Sequence, residues 1–365
     1  MAKLTDTLKR LHRTVAPVES WLPHEHAPWV IAGPCSAESA RQMLATARGL
    51  AKCPQVKAFR AGIWKPRTRP NSFEGIGEPG LEWLKAVKEE TGLPTATEVA
   101  NSGHVELCLK YGVDILWIGA RTTVSPFSVQ EIADALRGTD IPVLVKNPIN
   151  TDLGLWLGAI ERLYDVGIRK LAAIHRGFSS YVETEFRNQP NWQIPIELKR
   201  LLPNLPLICD PSHITGNREL IEPVSQMALD LGIQGLMIES HVHPEEALSD
   251  AAQQMTPKDL AGILARLHSR EAAVTDRQLK ARLARIRSEI SHVDARIIED
   301  LAERMKWVEE IGQIKQEHGI PVLQLSRWES LLDDHIEKAK KAGLDPVFIK
   351  TIFETIHAQA VKRQL

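Results

Sequence analysis

Four residues scattered along this chain, Cys35, His213, Glu239 and Asp250, offer a thiolate, an imidazole and two carboxylates. Brought together they make a mixed donor set of borderline softness, suited to a divalent Mn, Fe, Co or Zn ion. A zinc-only structural site usually takes a plainer tetrahedron. Taken singly, Cys35 reads as a small buried hydrophobe. His241 and His243 share a strand face with Glu239 and form a competing pair of ligands, ranked behind the first set. A second population is cationic: Arg60, Lys65, Arg67, Arg121, Lys146 and Arg176. Six like charges in one place repel each other unless anions occupy the space between them. Phosphates and carboxylates are the natural occupants, because guanidinium groups grip their oxygens in pairs.

These residues need a scaffold that gathers them. Eight short apolar runs supply one: Trp29–Ala32, Val56–Arg60, Pro94–Glu98, Ile115–Gly119, Pro142–Lys146, Lys170–His175, Pro206–Asp210 and Gly235–Glu239. They recur at the spacing of strand–helix units, with amphipathic stretches such as Glu82–Thr91 and Leu153–Val166 between them. Parallel strands require such crossovers. Eight units in succession predict a closed (β/α)8 TIM barrel over 29–262, an α/β fold whose chemistry sits where the strands end. Nearly every run does end in a reactive residue. An open doubly wound sheet is the alternative, weakened by the lack of a Gly-x-Gly-x-x-Gly after the first run. Cys53, Cys108 and Cys209 fall on helices or strand interiors and read as core.

After Ser269 the rhythm changes. Glu271 to His318 contains no proline and one glycine, Gly312, with apolar residues at helical spacing from Leu279 to Ile314. One long helix follows from this, then two shorter ones near Ser326–Ala342 and Pro346–Gln364. The expected organisation is an N-terminal extension (1–28), the barrel (29–262), a linker (263–275) and an all-helical domain (276–365). A helix so long cannot bury its stripe within a small module, which points to a second chain.

Composition narrows the function classes. The chain has 365 residues, with 45 Lys+Arg against 46 Asp+Glu. That balance lacks the basic excess of a nucleic-acid binder. No apolar run approaches the roughly 18 residues of a membrane span. The basic start has no continuous apolar core and so does not read as a secretory signal. Four cysteines are too few for a disulfide scaffold, which suits a reducing cytoplasm.

The motifs GPCS, RAGIWKPRT, IGAR, VLVKNP, HRG, DPSHITG and GLMIESHVHPEEALSD, in this order over 29–262, resemble the 3-deoxy-D-arabino-heptulosonate 7-phosphate (DAHP) synthases, in particular the smaller β-type of the first class. The resemblance implies a metal-dependent condensation of phosphoenolpyruvate with erythrose 4-phosphate. It implies phosphoenolpyruvate binding by Arg60, Lys65, Arg121, Lys146 and Arg176, and aldose phosphate binding by Lys65, Pro66, Arg67 and Thr68. It implies one divalent metal on Cys35, His213, Glu239 and Asp250. Lys65, Cys35 and His213 are the expected catalytic set, with Lys65, near both substrates, as the candidate proton donor to the nascent alkoxide. The alternative within the superfamily is a 3-deoxy-octulosonate phosphate synthase, which uses arabinose 5-phosphate. Pro66 between Lys65 and Arg67 favours the four-carbon aldose.

Residues 279–364 resemble an all-helical, AroQ-type chorismate mutase, through Ile286-Arg287 to Asp294, Leu301 to Arg304 and Gly312 to Lys315. The resemblance implies that Arg287, Arg304, Lys315, Arg327 and Gln364 bind chorismate, a dicarboxylate, and that prephenate or chorismate held there feeds back on the barrel. Arg304 and Lys315 are eleven residues apart and share a helix face, whereas Arg287 points some ~100° away. In a homodimer with crossed long helices Arg287 serves the partner's pocket. Two departures from the family stand out: Trp328 where a Glu is usual, and Gln364 next to the C-terminus. A dimerising or regulatory tail without efficient catalysis is the alternative.

Overall fold

Eight parallel strands form where the apolar runs stand: β1 Trp29–Gly33, β2 Val56–Arg60, β3 Thr95–Val99, β4 Ile115–Ile118, β5 Val143–Lys146, β6 Leu171–His175, β7 Leu207–Cys209 and β8 Gly235–Glu239. Each pairs with the next, and β8 pairs with β1 from Trp29↔Gly235 to Gly33↔Glu239, so the ring closes. The runs expected to start at Pro94, Pro142 and Pro206 start one residue later as strands. Proline has no N–H to give a ladder. The computed structural model describes residues 6–22, 24, 28–65, 73–181, 184–270 and 276–364. The chain divides into two compact units, Met1–Ala272 and Ala273–Leu365.

Strand side chains alternate between faces, and the alternation decides what enters the barrel. Trp29, Ile31, Ala58, Ala96, Ile115, Trp117, Leu144, Ala172, Ile174, Ile208 and Met237 pack together as one buried cluster. Their neighbours Val30, Phe59, Leu116, Val143, Val145, Ala173, Cys209 and Ile238 belong to the other, beneath the helices. The first cluster is the barrel interior. A Cβ on Gly235 would stand 2.5 Å from the Trp29 ring, so only glycine lets that indole lie across the floor.

Two ends of this unit differ from expectation. The segment before β1 is not a bare extension: the helix Asp6–Thr14 buries Leu8 and Leu11 in the core, and the Thr14 hydroxyl lies 2.7 Å from that of Tyr164. The last barrel helix, Pro257–Arg266, runs past residue 262. Thr256 caps it by accepting from the Asp259 N–H, and its face Leu260, Ile263 and Leu264 is buried.

The second unit has three helices: Arg277–Glu317, Leu325–Lys341 and Pro346–Gln364. Asp276 caps the first, accepting from Gln278 and Leu279 N–H. At 41 residues it is about 60 Å long. The C-terminal helix packs on both others. Burial is sparse: of the long helix only Val308 and Gly312 are buried, while Leu279, Ile286, Ile290, Val293 and Ile297 stay exposed.

Candidate active sites

Counting on by two from the inward apolar residues reaches the chemistry. Ala58 leads to Arg60, Ala96 to Glu98, Leu144 to Lys146, Ile174 to Arg176, Ile208 to Asp210 and Met237 to Glu239. Each of these six strands thus fills the barrel with an apolar side chain and then presents a polar one at its C-terminal end, whereas β1 and β4 reach Gly33 and Gly119. The same count excludes His175, which packs outward against Phe178 and Trp192. Both its ring nitrogens are buried without a hydrogen bond among the described residues. Burial, then the Arg176 charge, pushes its pKa down to about 3, so it is a neutral packing group.

Arg60 is the centre of the cationic set. It is 1% exposed, with Nη2 3.2 Å from Glu239 Oε1 and 3.4 Å from the Cys35 carbonyl. Its guanidinium lies 4.8 Å from the centroid of the Trp117 ring. Its Nε and Nη1 are buried and have no hydrogen-bond partner among the described residues. Lys146 is also buried, with Nζ 2.8 Å from Asp210. The expected crowd of unbalanced cations is therefore corrected: Arg60 and Lys146 each face a carboxylate of the protein. A buried charge needs such a partner. Arg176 is buried and donates to Asn188 Oδ1 at 2.7 Å. Burial, then the charges of Arg187 and Arg121, lowers its pKa to about 10 against the pull of Asp210. Arg121 is exposed, just after β4. Lys65 donates to Cys35 Sγ at 3.1 Å. Pro66, Arg67 and Thr68 lie outside the described residues.

Of the four expected ligands, donor atoms of Cys35, Glu239 and Asp250 all lie within 4.8 Å of one another. Cys35 Sγ donates to Asp250 Oδ2 at 3.3 Å. Burial, then Glu239, pushes the thiol pKa up to about 12. Glu239 is fully buried. Burial alone would raise its pKa, yet His213, Arg60 and Lys65 hold it below the ordinary value. Its Oε2 accepts from Gln253, while Oε1 is buried without a hydrogen bond. Asp250 is held low in the same way, chiefly by Arg187 against burial. His213 stands beside the cluster, its Nε2 3.7 Å from Glu239 Oε1 and its Nδ1 2.8 Å from Asp210. The short helix Pro211–Thr215 carries it, capped by Asp210. Burial, then Lys146, lowers the pKa of His213 and favours the neutral ring a metal requires, although Asp210 opposes this. His241 faces elsewhere, with Nε2 3.6 Å from Glu38, and His243 is exposed. A thiol and two carboxylates, with Glu239 Oε1 held between Arg60 and His213, suit a divalent ion.

Sequence reasoning gave no role to Asp210, Glu98, Arg187, Gln253 or Gln254. The inward alternation signals the first two. Nothing in a linear reading signals the others, which come from loops.

In the helical unit three buried polar atoms lack hydrogen bonds among the described residues: Arg304 Nη1, His357 Nε2 and Gln364 Oε1. A Cβ on Gly312 would stand 3.1 Å from Gln364, so the glycine lets the helices approach there. Lys315 Nζ donates to the Val322 carbonyl at 2.6 Å. Trp328 stacks on His357 with centroids 3.9 Å apart. Burial, then Arg304 and Lys315, lowers the His357 pKa, which places those cations near it. Arg287 and Arg327 are exposed.

A closed parallel barrel with buried cations and a Cys/Glu/Asp cluster at its C-terminal rim defines a class of anion-handling α/β enzymes, here continued by a helical module with cations of its own. The chain belongs to the DAHP synthetase I family, whose model matches residues 23–275. A chorismate mutase type II model matches residues 286–365. A phospho-2-dehydro-3-deoxyheptonate aldolase of Thermotoga maritima is 34% identical over 226 residues, covering 62% of this chain and 64% of its own length. The chain thus spans slightly less than two thirds of that relative. A 2-dehydro-3-deoxyphosphooctonate aldolase of Vesicomyosocius okutanii is 27% identical, over 64% of this chain and 87% of that one. The solved DAHP synthase structure from Thermotoga maritima superposes with a TM-score of 0.59 at 32% identity, covering 65% of this chain and 67% of that one. A truncated form gives 0.57 at 29% identity, covering 65% and 84%. Among the described residues no helix is long and apolar enough to cross a membrane.

Proposed function

We propose that the chain is a bifunctional enzyme: the barrel condenses phosphoenolpyruvate with erythrose 4-phosphate to DAHP and phosphate, and the helical unit rearranges chorismate to prephenate. The observation that carries the first half is the convergence of Arg60, Lys65, Lys146 and Arg176 on the rim that holds the Cys35, Glu239 and Asp250 donors. Arg60, with two guanidinium nitrogens still to be satisfied, holds an anionic oxygen of phosphoenolpyruvate. Lys65, Lys146, Arg121 and Arg176 complete that anion site, and Lys65, Pro66, Arg67 and Thr68 bind the aldose phosphate. One divalent ion, Mn, Fe, Co or Zn, held by Cys35, His213, Glu239 and Asp250 would supply Lewis acidity toward the aldehyde oxygen.

Carbon 3 of phosphoenolpyruvate bonds to the aldehyde carbon. Lys65, whose ammonium sits 3.1 Å from Cys35 Sγ, gives its proton to the new alkoxide. Water adds at carbon 2, and the C–O bond to phosphate then breaks. Throughout, the cations stabilise charge that develops on phosphate and carboxylate oxygens.

In the helical unit the rearrangement needs no covalent chemistry. Arg304, Lys315 and Gln364 clamp the dicarboxylate and favour charge developing on the ether oxygen, with Arg327 at the rim. Arg287, exposed on the same long helix as an uncovered apolar stripe, enters the pocket of a second copy in a homodimer. Occupancy of that pocket by prephenate or chorismate feeds back on the barrel, and the enzyme works in the cytoplasm. The likeness to 2-dehydro-3-deoxyphosphooctonate aldolases supports a second reading with arabinose 5-phosphate as aldose. Steady-state assays of both reactions, before and after chelation, test the proposal. Chelation is expected to abolish the synthase and leave the mutase at full rate. Preference for arabinose 5-phosphate would select the second reading.

A further inference from the structure

Cys35, Glu239 and Asp250 sit on three separate stretches of chain, and something must fix the distances between them. Asp250 adopts a left-handed backbone, φ 49°, and the turn Ala251–Gln253 follows at once. That reversal brings Gln253, the last residue of the turn, to Glu239 and Gln254, just after it, to the Cys35 backbone. Gln253 Nε2 donates to Glu239 Oε2 at 2.7 Å, and its Oε1 accepts from Arg187 Nη1 at 2.8 Å. The same Arg187 nitrogen donates to Asp250 at 2.9 Å. Gln254 Oε1 accepts from the Cys35 N–H at 2.9 Å, and its Nε2 donates to the Ser249 carbonyl at 2.8 Å. Ser249 and Ser36 bring their hydroxyls within 2.5 Å, closing the ring between the two loops. Both glutamines are at most 1% exposed.

We propose that Gln253 and Gln254 are positioning residues for the donor cluster. Gln254 sets the spacing of Cys35 from Asp250 by holding the backbone on either side. Gln253 occupies Glu239 Oε2, so that Oε1, which faces the Arg60 guanidinium at 3.2 Å and His213 Nε2 at 3.7 Å, is the oxygen left for an incoming cation. A primary amide suits both tasks, since it donates and accepts without adding charge to a site already crowded with it. The inference rests on reading the cluster as a metal site, and outer groups of this kind tune ligand orientation and affinity.

The test is cobalt(II) titration of the full-length protein, followed by the thiolate-to-cobalt absorption band and the dissociation constant. Gln254→Met keeps the volume and removes both hydrogen bonds. It is expected to weaken cobalt binding about 10- to 100-fold and to shift the band. Gln253→Met is expected to weaken binding to a similar degree with the thiolate band retained. Circular dichroism of the full-length protein reports that each variant's barrel is folded. Should Gln254→Met lose the barrel's circular dichroism, Gln254→Glu carries the test. It keeps the acceptor for Cys35 but sets an oxygen against the Ser249 carbonyl, and a weaker affinity is again expected. A Cys35→Ser protein with an unchanged band and affinity would remove the metal reading itself. A Cys35-dependent band that both Gln254 variants and Gln253→Met leave unshifted, at wild-type affinity, would overturn the glutamine assignment alone.

Discussion

The barrel and the helical tail each gather cations among buried groups, and they do so by opposite means. In the barrel, six strands each lead to an inward polar group, and two pairs of charges settle one another: Arg60 against Glu239, Lys146 against Asp210. Ring closure lets residues distant in sequence meet inside one compact unit. In the tail, a single long helix carries Arg287, Arg304 and Lys315, and a straight rod cannot fold back on itself. Only part of its length is covered, and its apolar stripe stays open. A closed sheet can complete a site alone, whereas in the proposed homodimer the long helix takes one wall of its pocket from a second copy.

Substitutions that silence one region and spare the other sharpen this contrast. Lys65→Met has the largest expected effect, a loss of roughly 10³-fold in DAHP formation with cobalt affinity and mutase rate preserved. Near wild-type synthase turnover would take Lys65 out of the proton-donor role. Arg304→Ala comes next, with mutase kcat/KM falling by about 10²-fold while DAHP formation remains sensitive to chelation.

Acid should separate the units differently. His175 has a folded pKa of about 3, well below the usual value near 6.5. Its contribution is complete above pH 6.5 and is lost as pH falls toward 3, because the unfolded chain takes up a proton that the folded chain refuses. Urea unfolding of the barrel between pH 6.5 and 4 is expected to show stability declining by up to about 1.4 kcal/mol per pH unit from this residue. His175→Gln is expected to flatten that component, and an unchanged slope would refute the assignment. Gly312→Ala is expected to have the smallest effect. The added methyl meets Gln364 at 3.1 Å, so mutase KM rises a few-fold while helix propensity improves by about 0.5–1 kcal/mol. An unchanged KM would show that Gln364 does not depend on that approach.

Much of the barrel was legible because strands repeat every two residues and proline and glycine mark their ends. The same alternation explains why Arg176 reaches the mouth and His175, its neighbour, does not. Charge compensation was harder to read. Glu239 reads as a metal ligand in a linear sequence and Asp210 only as the end of an apolar run, and only closure shows Arg60 and Lys146 beside them. Arg187, Gln253 and Gln254 were invisible, because irregular loops carry no period from which a direction can be inferred. In the tail, helical spacing gave the three helices to within a few residues at most ends. It could not give the stack of Trp328 on His357, which depends on how two helices are rotated.

The Trp29 indole lying across Gly235, with the apolar cluster packed above it, makes the barrel a cup and not a tube. Whatever enters must leave by the same lip. On the proposed reading both substrates and both products then share that single opening.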